Sequence, residues 1–251
     1  MDTAQQTKYK ILLIGDACED IYTYGYVNRI SPEAPVPIFE PHHTIYHDGM
    51  AGNVRKNLEA LGCTVDFIRG KTSRKKRLID QRTKQQLLRL DEDAISEPVT
   101  FETAIPPVYD AIVISDYNKG TVSYELIEEL VNEVDVPIFV DTKKTDLARL
   151  AGCYVKINAL EKSSATSFPN PEHLIVTHGG DGAEWNGWVF PAEIAGDVVD
   201  VCGAGDTFLS ALAYKFLETK HMPDAVKFAN KASAVTVQHI GVYAPRLEQI
   251  K

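Results

Sequence analysis

Residues 9–15, YKILLIG, form a short apolar run ending in glycine, which predicts a buried strand with Asp16 at its carboxyl end. Residues 30–39 carry three prolines, so they predict an extended loop leading into an edge strand. Apolar positions at 54, 58 and 61 recur at helical spacing and predict a helix over 53–61, with Gly62 suited to its C-cap. A short strand follows at 64–68, and 76–91 reads as two amphipathic strands joined by residues 81–84. Beyond that point strands and helices alternate: a strand at 109–115, a helix at 123–133, and strands at 136–140 and 154–157. A polar link spans 161–171, and a strand at 173–177 runs into the glycines of HGGDG. Residues 185–190 and 193–199 look like a hairpin, and 205–219 and 222–239 like long helices. Such alternation implies right-handed crossovers and an α/β fold with a doubly wound, mostly parallel central sheet. Ligands bind such sheets beyond the carboxyl ends of the strands, where Asp16, Asp116, Asp141, Asn158 and Gly179 all fall.

The 251 residues, 44% apolar and 24% charged, are enough for one sizeable core, and we expect a single domain over 1–251. No apolar run reaches the ~18–20 residues that span a bilayer. The start, MDTAQQTKYK, lacks the apolar stretch of a signal peptide, which favours a cytoplasmic protein without a membrane partner. Cys18, Cys63, Cys153 and Cys202 form no C-x-x-C pair, so free thiols are expected. The net charge of −9 argues against nucleic acid as a partner. Yet residues 69–89 hold nine Lys or Arg against Asp80 alone, a local +8 that leaves −17 for the rest. A basic island in an acidic chain suits an anionic group on a small substrate, with Arg82 and Arg89 as the preferred contacts, because a guanidinium fork matches a phosphate.

The sharpest chemical signal is Asp200-Val-Cys-Gly-Ala-Gly-Asp-Thr-Phe208, followed at once by a helical pattern. Gly203, Ala204 and Gly205 can turn without Cβ clashes and aim successive N–H groups at one point, a site for a phosphate and for charge that grows during its transfer. Asp206, on the first helical turn, is placed to take a proton from a hydroxyl nucleophile. The structural alternative makes the glycines a helix start and Asp206 a cap. His42, His43 and His47 have no further ligand at metal-site spacing, so no metal is expected there.

The run Asp200–Asp206 resembles the D-T-x-G-A-G-D signature of the ribokinase-like (PfkB-type) sugar kinases, with Val201 in place of Thr. Asn158-Ala-Leu-Glu161 resembles that family's N-x-x-E block, which helps organise Mg²⁺ and phosphate. The run around Thr177, Gly179, Gly180 and Gly182 resembles its nucleotide-side glycine turn. Gly49-Met-Ala-Gly-Asn53 resembles its G-G-x-x-N substrate motif, Met50 replacing the second glycine. RISPEAPVP at 29–37, QQLLRLD at 85–91, SDYNKG at 115–120 and Asp141-Thr-Lys143 are similar to the heptose 7-phosphate kinase half of bifunctional ADP-heptose synthases. Against that half, the chain looks shortened between 70 and 76 and between 163 and 171, and the nucleotidyltransferase half is missing.

The resemblance implies an ATP-dependent kinase acting on the C1 hydroxyl of a heptose 7-phosphate. In that reading Asp16 and Asp116 bind sugar hydroxyls, Lys143 contacts phosphate, and Asn230 lies on a helix beside the adenine. ATP with Mg²⁺, ordered indirectly by Asn158 and Glu161, is the implied cofactor set, with a monovalent cation as a further candidate. A small β lid over the sugar is implied at about 22–46 and 76–91, and a homodimer through that lid is the favoured assembly. The rivals are a kinase of another sugar phosphate or nucleoside, and a degenerate protein that binds ATP or sugar phosphate without turnover.

Overall fold

The apolar runs pack into two cores because their side chains alternate across one sheet. Ile11, Leu13, Ala111 and Val113 fall in one buried cluster, and Leu12, Ile14, Ile112 and Ile114 in the other. Both sheet faces are covered, which is why these strands read as continuous apolar runs. Each fully buried Leu or Ile contributes about 1.5–3 kcal/mol.

The computed structural model describes residues 8–100, 109–193 and 196–250. Its strands are β1 (Lys10–Ile30), β2 (Pro37–Met50), β3 (Thr64–Asp80), β4 (Gln86–Glu92) and β5 (Ala111–Asp116), then β6 (Ile138–Thr142), β7 (Tyr154–Asn158), β8 (Leu174–Thr177), β9 (Ala183–Trp185) and β10 (Trp188–Phe190). They form a single sheet of order β10-β9-β8-β7-β6-β5-β1-β3-β4, with β2 paired to β1. Every pairing from β3 through β8 is parallel, and β2, β4, β9 and β10 add antiparallel margins. The helices are α1 (Ala51–Ala60), α2 (Tyr124–Glu133), α3 (Ala159–Ser164), α4 (Ala204–Thr219) and α5 (Met222–Thr236). Helices α1, α4 and α5 cover the first cluster and α2 the second. Among the described residues no helix is long and apolar enough to cross a membrane.

Several expected boundaries move, each for a local reason. The strand expected to stop at Gly15 runs on to Ile30, and the one expected at 64–68 runs on to Asp80. Both pass through a register shift between Gly15 and Ala17, so Asp16 sits at a bulge and the strands continue as the lid. The lid, β2-β1-β3-β4, is thus an extension of the central sheet. The polar link at 161–171 begins within α3, nucleated by a capping box between Asn158 and Glu161. The hairpin is β9 and β10 within 183–190, with a turn at Asn186 and Gly187, both at positive φ. The expected second strand at 193–199 is not formed at 196–199, while 194 and 195 lie outside the described residues. The last long helix stops at Thr236.

Candidate active site

Two adjoining clefts open where the parallel strands end. The larger, about 320 Å³, is lined by Thr177, Gly179, Gly180, Gly182 and Asn230 together with the start of α4. The smaller, about 130 Å³, is lined by Asp116, Lys143, Asn158, Glu161, Gly203 and Asp206, among others. Lys156, Asn158 and Gly205 line both.

Gly203 is the N-cap of α4, and its φ of 78° is a conformation that costs a residue with a Cβ about 1–2 kcal/mol. No side chain caps the helix; the Ala204 amide donates to Val201 O at 3.3 Å, which leaves the N–H groups of Gly205 and Asp206 to meet an anion. Asp206 is no cap. Its Oδ2 accepts from Asn53 Nδ2 at 2.8 Å and its Oδ1 from the Tyr117 hydroxyl at 3.1 Å. Burial pushes its carboxyl up to about 6; Asn53, Lys156 and Tyr117 pull against that rise and Asp141 adds to it. The Asp206 charge, with burial, holds the Tyr117 phenol well above its ordinary range. Asp200 accepts from the Cys202 and Gly241 amides at 2.9 and 2.8 Å, anchoring the turn before α4.

Around the smaller cleft, Asn158 Oδ1 accepts from the Glu161 amide and Glu161 Oε2 from the Asn158 amide, at 2.9 and 2.7 Å. Lys143 pairs with Glu161 and stands over the Tyr117 ring at 5.6 Å. On the larger cleft, Asn230 donates to the carbonyls of Phe190 and Pro191 at 2.8 and 3.3 Å, tying α5 to the hairpin.

Asp16 and Asp116 are both buried at the sheet edge. Asp16 accepts from the amides of Tyr117, Lys119 and Thr121, and Asp116 from the Asn118 amide and the Thr142 hydroxyl. Both carboxylates therefore hold the 116–121 loop that carries Tyr117. Met50 keeps a glycine-like φ of 53° before α1, and its buried side chain offsets a strain of about 1–3 kcal/mol.

Three site residues escaped the sequence reading. Asp20 is buried and accepts from Arg77 at 2.5 Å, and a Cβ on Gly49 would meet its Oδ2 at 2.1 Å. The signal was its place four residues after Asp16 on one strand. Arg77, over the Tyr22 ring at 4.9 Å, is an inward-facing member of the basic island. Arg89 lies opposite Arg77 in the register of β3 and β4 and binds Asp91 at 2.7 Å. Arg82 caps the lid turn instead, donating to Val27 O and Asn28 Oδ1 at 3.2 and 3.1 Å. The third missed residue is Lys156, buried on β7 and paired with Asp141 at 2.6 Å. His42 and His43 meet each other through Nδ1 at 3.0 Å, and among the described residues no three His, Cys, Asp or Glu gather into a metal ligand set.

The doubly wound sheet brings a buried carboxylate and a glycine-led helix start to one divided cleft, and its fold is ribokinase-like. The solved structures agree on the fold. The ribokinase of Thermotoga maritima superposes with a TM-score of 0.69 at 18% identity, over 96% of this chain and 98% of that one. The Arabidopsis thaliana ribokinase complexed with ribose and ATP gives 0.70 at 15%, over 96% and 97%. Escherichia coli phosphofructokinase-2 in complex with potassium gives 0.71 at 14%, over 96% of both. The model of the pfkB family carbohydrate kinases matches residues 114–250, and the chain belongs to that family. Among curated relatives, the bifunctional protein HldE of Nitratiruptor sp. is 31% identical over 306 residues, covering 97% of this chain and 64% of that protein. HldE of Helicobacter pylori is 30% identical over 305 residues, covering 96% and 65%. The chain thus spans less than two thirds of these relatives, and matches longer than its own 251 residues mean that they carry internal segments it lacks.

Proposed function

We propose that this carbohydrate kinase transfers the γ-phosphoryl group of ATP to the C1 hydroxyl of a heptose 7-phosphate, with Asp206 as general base. The observation that carries this reading is Asp206 itself. Its carboxylate lines the smaller cleft on the first turn of α4, beside the uncapped helix start that the larger cleft shares. A carboxyl near 6 is ionised at neutral pH yet basic enough to draw a proton from a hydroxyl. In this reading the nucleotide fills the larger cleft, over the glycines at 179–182 and beside Asn230. The amides of Gly203, Gly205 and Asp206 hold the charge on the phosphoryl group as it passes. The acceptor sits under the lid, between Asp206 and the Asp20–Arg77 pair, with Asn53 and Gly49 at its side.

The smaller cleft offers hard oxygen donors, which suit a Mg²⁺ that arrives with the nucleotide and keeps several waters. Asn158 and Glu161 would hold that hydrated ion, and it would neutralise phosphate charge. The basic island would meet the phosphate already on the sugar. The resemblance of 29–37, 85–91 and 115–120 to heptose 7-phosphate kinases favours a heptose 7-phosphate over other phosphorylated sugars. An ADP-release screen over sugars and sugar phosphates tests the reading. Turnover of heptose 7-phosphate above the other acceptors is expected, and absence of turnover with every acceptor overturns it.

The outer lid face supports a homodimer. Tyr46, Ile21, Lys76 and Leu90 stand in one row across the four lid strands, and Leu88 lies two pairs further along, on the same face. Tyr46, Leu88 and Leu90 are all exposed, and such a patch on an open sheet is a surface for a second copy.

A further inference from the structure

In the segment Tyr154–Asn158 the alternation of the strand sends Val155 and Ile157 into the α2-side core. Lys156 therefore projects from the opposite face, toward the start of α4. Nothing in the packing requires a lysine there. A buried ammonium costs several kcal/mol unless a partner offsets it, and among the described residues Asp141 is its one hydrogen-bond partner. Asp141 Oδ2 accepts from it at 2.6 Å, an ion pair that offsets the buried charge. An ammonium has three donors, so two remain.

The ammonium lies at the passage between the clefts, since Lys156 lines both. A Cβ on Gly205 would stand 3.0 Å from its Nζ, so the charge rests against the turn that starts α4. The register of β6 and β7 sets Asp141 directly beside it.

We infer that Lys156 is a catalytic residue of this site, its ammonium held in place by Asp141 and donating to the phosphoryl group as that group passes between the clefts. The inference rests on the phosphotransfer reading above. In the step, the bond from the γ-phosphorus to the bridging oxygen breaks and its electron pair stays with the nucleoside diphosphate. The acceptor oxygen forms the new bond to phosphorus, and its proton goes to Asp206. Lys156 keeps its protons throughout and stabilises charge in flight, as oxyanion donors do. Asp141 is a positioning residue that neutralises the ammonium while no phosphate is present.

The pair also acts on the base. Asp206 is faced by Asp116 and Tyr117 from the end of β5, Asp141 and Lys143 from β6 and the loop after it, and Lys156 from β7. Glu161 of α3 and Cys202 of the preceding turn complete the titratable set, while α1 contributes the neutral Asn53. Lys156 favours the ionised carboxylate and Asp141 disfavours it.

The test compares Lys156→Met, Asp141→Asn and the double variant with wild type, in single-turnover phosphorylation across pH and in nucleotide binding by calorimetry. Removing the donor should lower the rate by about 10²–10³-fold, leave the acceptor KM unchanged, and move the acid limb of the pH profile upward. Asp141→Asn alone should keep most of the rate and move that limb downward. The double variant leaves no uncompensated charge, so it reads the same loss of rate even where Lys156→Met fails to fold. A double variant that keeps more than a third of the wild-type rate overturns the inference. If wild type phosphorylates no acceptor, the kinase reading fails and binding decides the matter. ATP weakened tenfold by Lys156→Met, with adenosine unaffected, then sustains the contact to phosphate, and equal binding of ATP by both proteins overturns it.

Discussion

Asn53, on the first turn of α1, donates from Nδ2 to Oδ2 of Asp206 at 2.8 Å across the contact between α1 and α4. One turn along, Thr207 donates to Asn57 Oδ1 at 2.9 Å, so the two helices are stitched together beside Asp206. Motifs 150 residues apart in sequence thereby become one site. Because the Asn53 amide favours the ionised carboxylate, its removal should raise the Asp206 pKa above about 6. Asn53→Ala is therefore expected to shift the acid limb of kcat/KM to higher pH. A pH–rate series measures it, and a limb that stays put or falls removes Asp206 as the group it reports.

Asp206→Asn should cost about 10²–10⁴-fold in kcat while ATP binding persists, because proton acceptance alone is lost. The same variant should be more heat-stable than wild type. A folded-state pKa of about 6 against an ordinary 3.8 means that wild type gives up stability as pH rises through that window. The ionised, buried group costs up to ~3 kcal/mol above it, less what the lost hydrogen bonds return. A Tm gain of a few degrees at pH 8, shrinking toward pH 5, is the expected melting result. Activity above half of wild type would sink the base assignment.

The central sheet was legible because strands covered on both faces read as unbroken apolar runs, such as 11–14 and 111–114. The lid was half legible. Residues 17–30 place charges on both faces, at Glu19 and Asp20, and residues 69–80 are mostly basic, so nothing in their pattern says that they continue the core strands. The glycine turns and Asp206 stood out as local motifs, whereas Asp20, Arg77 and Lys156 owe their places to strand register and burial, which no short window of sequence displays.

Gly203 and Gly205 should fail for different reasons when substituted. Gly203→Ala strains a φ of 78° and drives a Cβ to 2.7 Å from Asn53 Nδ2, so stability and rate should fall together. Gly205 has no positive φ, and its Cβ would reach Lys156 Nζ at 3.0 Å. Gly205→Ala should therefore keep Tm within about 1–2 °C and lose rate. Melting curves beside kcat separate the two cases, and a Gly205→Ala variant of full activity would refute the crowded passage.

Tyr46→Lys with Leu90→Lys places two charges on the outer lid row and should yield a monomer in sedimentation velocity where wild type is a dimer. A monomeric wild type at tens of micromolar, or a double variant that stays dimeric, removes the lid as the contact.

The basic island gives the most discriminating series. Arg77 lies inward, bound to Asp20 at 2.5 Å and stacked over Tyr22, while Lys75 of the same strand stands over the Tyr117 ring at 5.9 Å. Tyr117 in turn reaches Asp206, so this lid face borders the cleft that Asp206 lines. Arg89 shares the row of Arg77 across the strand pair, and Arg82 is spent on the lid turn. A phosphate on the acceptor should therefore depend on these guanidinium groups in the order Arg77, Arg89, Arg82. Arg77→Ala should raise the KM for the sugar phosphate by ten-fold or more, since a charge-assisted hydrogen bond contributes about 1.5–3 kcal/mol. Because Arg77→Ala also leaves Asp20 unpaired, the companion variant Arg77→Ala with Asp20→Asn separates lost recognition from a stranded carboxylate. Arg89→Ala should act less, and more weakly still at high salt, where an exposed charge is screened. The KM for ATP should not move in any of them. An unchanged sugar-phosphate KM in Arg77→Ala, or a preference for an uncharged sugar, would show that the island serves another purpose.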